Sequence, residues 1–121
     1  MSIPVDLAAL DEALAVHGGA AFLLTSGDDG RPHVSHVAVH LRDGVLEVAA
    51  GRRTAANVAA RPAAVVLWPP VEPGGYSLII DVTVHVEGEL ARCVPEHAVL
   101  HRPAPQAVAD PGACGHDCRP I

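Results

Sequence analysis

The stretch Asp43–Trp68, DGVLEVAAGRRTAANVAARPAAVVLW, sets a strand, a charged turn, a short helix and a second strand in succession. Val45 to Ala50 alternates as a strand does, and Gly51, Arg52 and Arg53 read as the turn. Thr54 stands where a helix N-cap belongs, with Ala55, Ala56 and Asn57 as the first turn. Pro62 stops the helix, and Ala63 to Trp68 resumes extended structure. The first turn of a helix leaves backbone N–H groups unpaired and carries partial positive charge, so it suits a phosphate. Two adjacent arginines can grip phosphate oxygens bidentately, and the Thr54 hydroxyl can donate to a ligand while accepting from its own helix. The plainer alternative makes Arg52 and Arg53 solvated turn residues and Thr54 only a cap.

The composition around this stretch narrows the function. A chain of 121 residues, half of them apolar, makes one domain with a real core. Only three residues are aromatic, so a core of Ala, Val and Leu gains from burial against a second subunit. All eight basic residues are arginines, and without lysine there is neither a Schiff base nor a P-loop. A net charge of -6 without a basic run argues against nucleic acid. No apolar run approaches about 18 residues and the N-terminus carries Asp6, Asp11 and Glu12, so no membrane association is expected and a cytoplasmic location is. Three cysteines, Cys93, Cys114 and Cys118, are too few for a secreted disulfide framework.

Outward from the opening stretch, the pattern is β throughout. Asp6 can cap a helix with Leu7, Leu10 and Leu14 at helical spacing, and Gly18-Gly19 ends it. Ala20 to Ser26 and His33 to Arg42 read as strands joined through Asp29-Gly30, and Asp43-Gly44 is a second hairpin signal. Beyond the Pro69 to Gly75 loop, Tyr76 to Glu87 alternates, with Leu78, Ile80, Val82, Val84 and Val86 on one face. The expectation is a mainly β, antiparallel, barrel-like fold with one or two short helices. One domain is expected to comprise an N-terminal helix (1–19), a barrel (20–94) and a Pro/Ala-rich C-terminal arm (95–121).

Three segments, AAFLLTSGDDGRPHVSHVAVHL from Ala20, GVLEVAAGRRTAANVAARPAAVVLW from Gly44 and YSLIIDVTVHVEGELA from Tyr76, together resemble the pyridoxamine 5′-phosphate oxidase-like, FMN-binding split-barrel family. The resemblance implies a homodimer holding FMN, or in some branches the deazaflavin F420, between its subunits. It implies that Arg52, Arg53, Thr54 and Asn57 bind the cofactor phosphate, and that Val34 to Val37, with Ser35 and His36, passes beside the ring system. FMN is preferred over F420, whose acidic tail wants more basic groove than eight scattered arginines offer. A lysine frequent in relatives near Thr54 is missing, and the segment from Pro95 does not resemble the substrate-handling C-terminus of true pyridoxamine phosphate oxidases, whose activity is therefore disfavoured.

The histidines form a second constellation. His36 and His40 share a strand face but lie about 13 Å apart, too far to chelate one metal alone, and His33 points the other way. His36 is a candidate for a hydrogen bond to a flavin edge, or a structural histidine. His97 and His101 stand one turn apart if Pro95 opens a helix. Cys114, His116 and Cys118 lack zinc-knuckle spacing and read as a loosely ordered tail with two oxidisable thiols, so no metal ligands are expected. Haem is kept as an alternative because some split-barrel relatives bind it through C-terminal histidines. No hydrolytic triad or carboxylate pair is present, and Asp28, Asp29 and Asp43 belong to turns. The expected function is flavin-dependent oxidation or reduction of a small organic substrate, with no identified catalytic residue. The alternative is a non-enzymatic flavin-, F420- or haem-binding protein of the same fold, or one that keeps the fold without a cofactor.

Overall fold

The computed structural model describes residues 1–104. The Cys114, His116 and Cys118 expectation and most of the expected arm lie outside the described residues. The elements in order are β1 (Ser2–Val5), a short 3-10 turn (Leu7–Ala9) running into α1 (Leu10–His17), β2 (Ala20–Ser26), β3 (Pro32–Ala38), β4 (His40–Arg42), β5 (Val45–Ala49), α2 (Arg52–Ala60), β6 (Ala63–Trp68), β7 (Ser77–Glu87) and β8 (Leu90–His101). The strands form one antiparallel sheet in the order β3-β2-β6-β7-β8-β5-β4, with β1 paired to β8. The sheet curls until β3 and β5 meet, and α2 packs on β2 and β7. This is the antiparallel split barrel with two helices.

Alternation builds the interior. Ala21 and Leu23 of β2, Val66 and Trp68 of β6, Leu78, Ile80, Val82 and Val84 of β7, and Leu46 and Val48 of β5 are all buried. Val86 was expected to join them but lies at the exposed end of its strand. Trp68 is fully buried, and its indole N–H donates to the Gly18 carbonyl at 2.9 Å. The end of α1 is thereby tied to the sheet, with Leu10 in the core. Asp6 caps the preceding turn by accepting from the Ala8 N–H. The Asp43-Gly44 turn has both residues at positive φ, 51° and 77°, as a tight two-residue hairpin requires.

Three expectations change. His33 to Arg42 is two strands: the Val39 N–H still donates to Gly19 O at 2.7 Å, one register step beyond the Ala20–Ala38 pair, and from His40 the chain pairs with β5 instead. No helix opens at Pro95: β8 runs on to His101, past the barrel boundary expected at Val94, and Pro95 sits at a bulge opposite Asp81/Val82. The bulge inserts one residue and reverses the phase, so Ala91 and Cys93 point inward before it and Ala98 after it. His97 and His101 are therefore strand residues, and His101 Nδ1 lies 3.0 Å from Ser2 Oγ on the neighbouring β1. The N-terminal segment, expected as helix alone, begins with that strand.

Candidate functional site

β5 delivers the chain to α2, and the helix begins earlier than Thr54. Gly51 is the N-cap, with extended backbone (φ -72°, ψ 172°) and no side-chain cap bond. Arg52 and Arg53 are the first two helical residues, not turn residues, and Thr54 is the third. The first intrahelical bond is donated by Ala55 to Gly51 O, so the N–H groups of Arg52, Arg53 and Thr54 have no acceptor within the helix. Glycine supplies no cap oxygen, and these donors stay unspent at the positive end of the helix dipole.

The inner face of α2 is fixed by Thr54, Asn57 and Val58, all buried. Asn57 Nδ2 donates to Thr25 Oγ1 at 3.0 Å, anchoring the helix to β2. Thr54 Oγ1 lies 3.3 Å from Ser35 Oγ on β3, so its hydroxyl faces the sheet instead of closing its own helix. The alternation of β3 turns His33, Ser35 and Val37 toward the helix side and leaves Val34 and His36 on the other, more exposed face. The His36 ring stacks on Phe22 there, with centroids 5.0 Å apart. His33 points the other way from His36, as expected, and shares the face of Ser35. Its Nδ1 is the one buried side-chain polar atom without a hydrogen-bond partner among the described residues.

Two cavities flank the start of α2. The smaller, of about 360 Å³, is lined by His33, Ser35, His36, Gly51, Arg52 and Thr54 among others. The larger, of about 760 Å³, runs along α2 to the β2–β3 turn and is lined by Arg31, Arg52, Arg53, Asn57 and Arg61, with Asp28 and Asp29 at the turn. Of the residues expected to bind a cofactor, Ser35, His36, Arg52, Arg53 and Thr54 thus line one cavity at the helix N-terminus, the His36 ring stacked on Phe22, and Asn57 lies one turn on.

Arg31 and Arg61 were missed. Each precedes a proline, and the two Arg-Pro pairs were read as a turn and a helix stop. The barrel brings both ends of that reading to one cavity, since the Arg61 Nε donates to Ser26 O at 2.8 Å, at the end of β2. Among the described residues, none of Arg31, Arg52, Arg53 and Arg61 forms a salt bridge, the two observed being those of Arg42 and Arg92 with Glu47. The arginines are not scattered: four of the eight in the chain line one cavity. Unpaired guanidinium groups beside uncapped helical N–H groups are chemically suited to a phosphate ester, so the residues present fit a phosphorylated cofactor.

No model of a known protein family matches the sequence. An uncharacterized protein of Mycobacterium bovis, Mb0449c, is 39% identical over 94% of this chain and 92% of its own length, and MT0457 of Mycobacterium tuberculosis matches equally. Among solved structures, a protein related to general stress protein 26 of B. subtilis (pyridoxinephosphate oxidase family), from Clostridium acetobutylicum, superposes with a TM-score of 0.60 at 13% identity, over 81% of this chain and 91% of that one. An FAD-binding protein of Mesorhizobium loti gives 0.64 at 12% identity, over 82% and 94%. A protein named F420 reductase gives 0.60 at 15% identity, over 72% and 94%. The chain belongs to one family with the two mycobacterial proteins, and its fold is that of the pyridoxamine 5′-phosphate oxidase-like split barrels.

Proposed function

We propose that this protein binds a flavin-type cofactor, FMN in the first instance, and serves as an oxidoreductase acting on a small organic substrate. The observation that carries the reading is the uncapped start of α2, where Arg52, Arg53 and three unspent backbone N–H groups converge beside Ser35 and Thr54. The solved split barrels that bind FAD or carry the F420 reductase name support the same class of cofactor. When bound, such a cofactor supplies the hydride or electron chemistry. The chain's part is to fix the phosphate with Arg52, Arg53 and the first-turn amides, and to line the adjoining space with Ser35, Thr54 and His33. No acid or base is required of these residues for hydride transfer itself.

A homodimer in the cytoplasm is part of the proposal. Register places His36, Phe22, Leu67, Ile79 and Val99 in one row across the outer face of β3, β2, β6, β7 and β8. The four apolar members of that row, Phe22 to Val99 on the sheet's outer side, are suited to burial against a second copy. Light scattering is expected to give twice the chain mass, and a single-chain mass at micromolar concentration would reject the dimer.

The cofactor reading is tested by titration with FMN. Binding is expected to tighten at low salt, and Arg52→Ala with Arg53→Ala is expected to weaken it at least tenfold, each charge-assisted contact contributing about 1.5 to 3 kcal/mol. Unchanged affinity in the double variant would move the site elsewhere. A purified protein that is colourless and binds neither flavin nor deazaflavin would refute the reading. The convergence of four arginines on one cavity specifically favours F420 as the second choice of cofactor.

A further inference from the structure

We propose that His17 is a proton-operated latch between the end of α1 and the chain entering β7, closed when its ring is an imidazolium and half-released when the ring is neutral. It stands on a pair of contacts that a neutral ring cannot make together. His17 Nδ1 lies 3.0 Å from Ala13 O, and its Nε2 lies 3.2 Å from Tyr76 O. A carbonyl oxygen only accepts, so each contact needs an N–H on the ring. Neutral imidazole carries one N–H and the imidazolium two. Either neutral tautomer therefore sets a nitrogen lone pair against one of the carbonyls, and only the cation satisfies both.

The position of the ring suits a positive charge. His17 is the last residue of α1, where the carbonyls of the final turn carry partial negative charge. The ring is half-buried, which strengthens a bond from a charged donor relative to one in water. The charged and titratable groups around it come from four places. Asp11 and Glu12 occupy the first turn of the same helix. Glu72 and Tyr76, from the connection before β7, line with His17 a cavity of about 270 Å³. At the end of β8, the Arg102 guanidinium lies over the Tyr76 ring and His101 turns to Ser2. No carboxylate among the described residues comes within ion-pair distance of His17, so the two carbonyls are what its protons answer. Those carbonyls differ in kind. Ala13 O belongs to the same helix, while Tyr76 O is 59 residues away in the chain. The helix itself keeps the ring beside Ala13 O, so the neutral ring holds its proton on Nδ1 and gives up Tyr76. The Trp68 bond to Gly18 O and the buried Leu10 keep α1 on the sheet, and release is confined to the walls of the cavity, where Val16 and Val71 are already exposed.

With eight histidines in the chain, stability against pH cannot single out this one, so the test reads the ring itself. Nitrogen-15 NMR of the imidazole rings in the full chain, across the range of about pH 5 to 8 in which histidine changes charge, distinguishes the cation from either tautomer. The expected result is an imidazolium at His17 at the acid end and the Nδ1–H tautomer at the other. The backbone amides of Val16 to Gly18 and of residues 72–76 should shift with the same midpoint. Hydrogen exchange at the Gly18 N–H, which donates to Leu14 O at 2.7 Å, should lose about tenfold in protection over that range after correction for its intrinsic pH dependence. In His17→Gln the side chain does not titrate, and both responses should be flat. Persistence of both in that variant would overturn the latch. So would a ring that keeps one protonation state throughout the range, or amides of residues 72–76 that ignore its titration. The last two are read on the wild-type protein and stand even where the variant does not fold.

Discussion

At the β4–β5–β8 edge, Arg42 and Arg92 close on a buried carboxylate, with Arg42 Nε 3.0 Å and Arg92 Nη1 3.3 Å from the two oxygens of Glu47. A few residues along the same chain, Arg52 and Arg53 begin a helix with no carboxylate in salt-bridge reach among the described residues. One residue type thus does opposite work on either side of Ala49. In the first region the positive charge is consumed in stitching β5 to its two neighbours, and nothing is left for a ligand. In the second the anchoring falls to the neutral Asn57–Thr25 contact, and the guanidinium groups stay available. A charge that stabilises the fold is already answered, while one left unanswered at a cavity is a site.

The contrast is open to attack from both sides. The largest effect expected is from Glu47→Ala, which leaves two arginines facing each other across β5. A loss of about 2 to 3 kcal/mol in urea unfolding is expected, toward the lower side for a broken buried pair because the Arg42 side chain is 70% exposed. Flavin affinity should not follow, and a parallel loss would show that the two regions are one unit.

Next comes the thiol behind the clamp. Cys93 pairs with Leu46 across β5 and β8, and burial pushes its pKa up from 9.0 to about 11. The neutral thiol is favoured in the folded chain, so its contribution is complete below pH 9.0 and is lost as pH rises toward 11. The loss approaches about 2 kcal/mol and should be smaller in Cys93→Val. Chemical denaturation between pH 8 and 11 measures it, and identical pH profiles for both proteins would contradict the burial argument.

A smaller effect, about 1 kcal/mol, is expected for Asn57→Ala, which leaves the buried Thr25 hydroxyl without its partner. Both stability and flavin affinity should fall, because this contact holds the helix that carries the arginines. Smallest is the effect of Arg52→Ala with Arg53→Ala on stability, within about 0.5 kcal/mol of wild type, since neither side chain holds the fold together. A clear destabilisation there would mean that these arginines are structural and would dissolve the contrast.

Much of the barrel was legible because alternation is a local signal. Ala20–Ser26 and Ala63–Trp68 were bounded as the structure has them, and the two Asp-Gly turns join antiparallel neighbours. What escaped depends on partners distant in sequence. The break at Val39 falls where pairing passes from β2 to β5, and the passage of β8 through Pro95 is permitted by a bulge against β7, which breaks the very alternation by which a strand is recognised. In the site, Arg52, Arg53 and Asn57 could be found because they sit on one local helix. The helix start was misplaced by three residues, since a hydroxyl at Thr54 is the stronger cap signal, yet the fold turns it toward Ser35 and begins the helix on glycine. Arg31 and Arg61 come to one cavity only through the docking of α2 on β2, which no local pattern carries.

The bond from the Trp68 indole to Gly18 gives the molecule an optical signal of its own. This tryptophan is the single one in the chain, and it lies in a dry interior at the seam between α1 and the sheet. Its emission is expected to be blue-shifted in the native protein and to move to longer wavelength as water reaches that seam. Because no second indole contributes, one wavelength scan reports whether the N-terminal helix is docked. A flavin with absorption overlapping that emission would quench it, so every affinity discussed above can be read without a label.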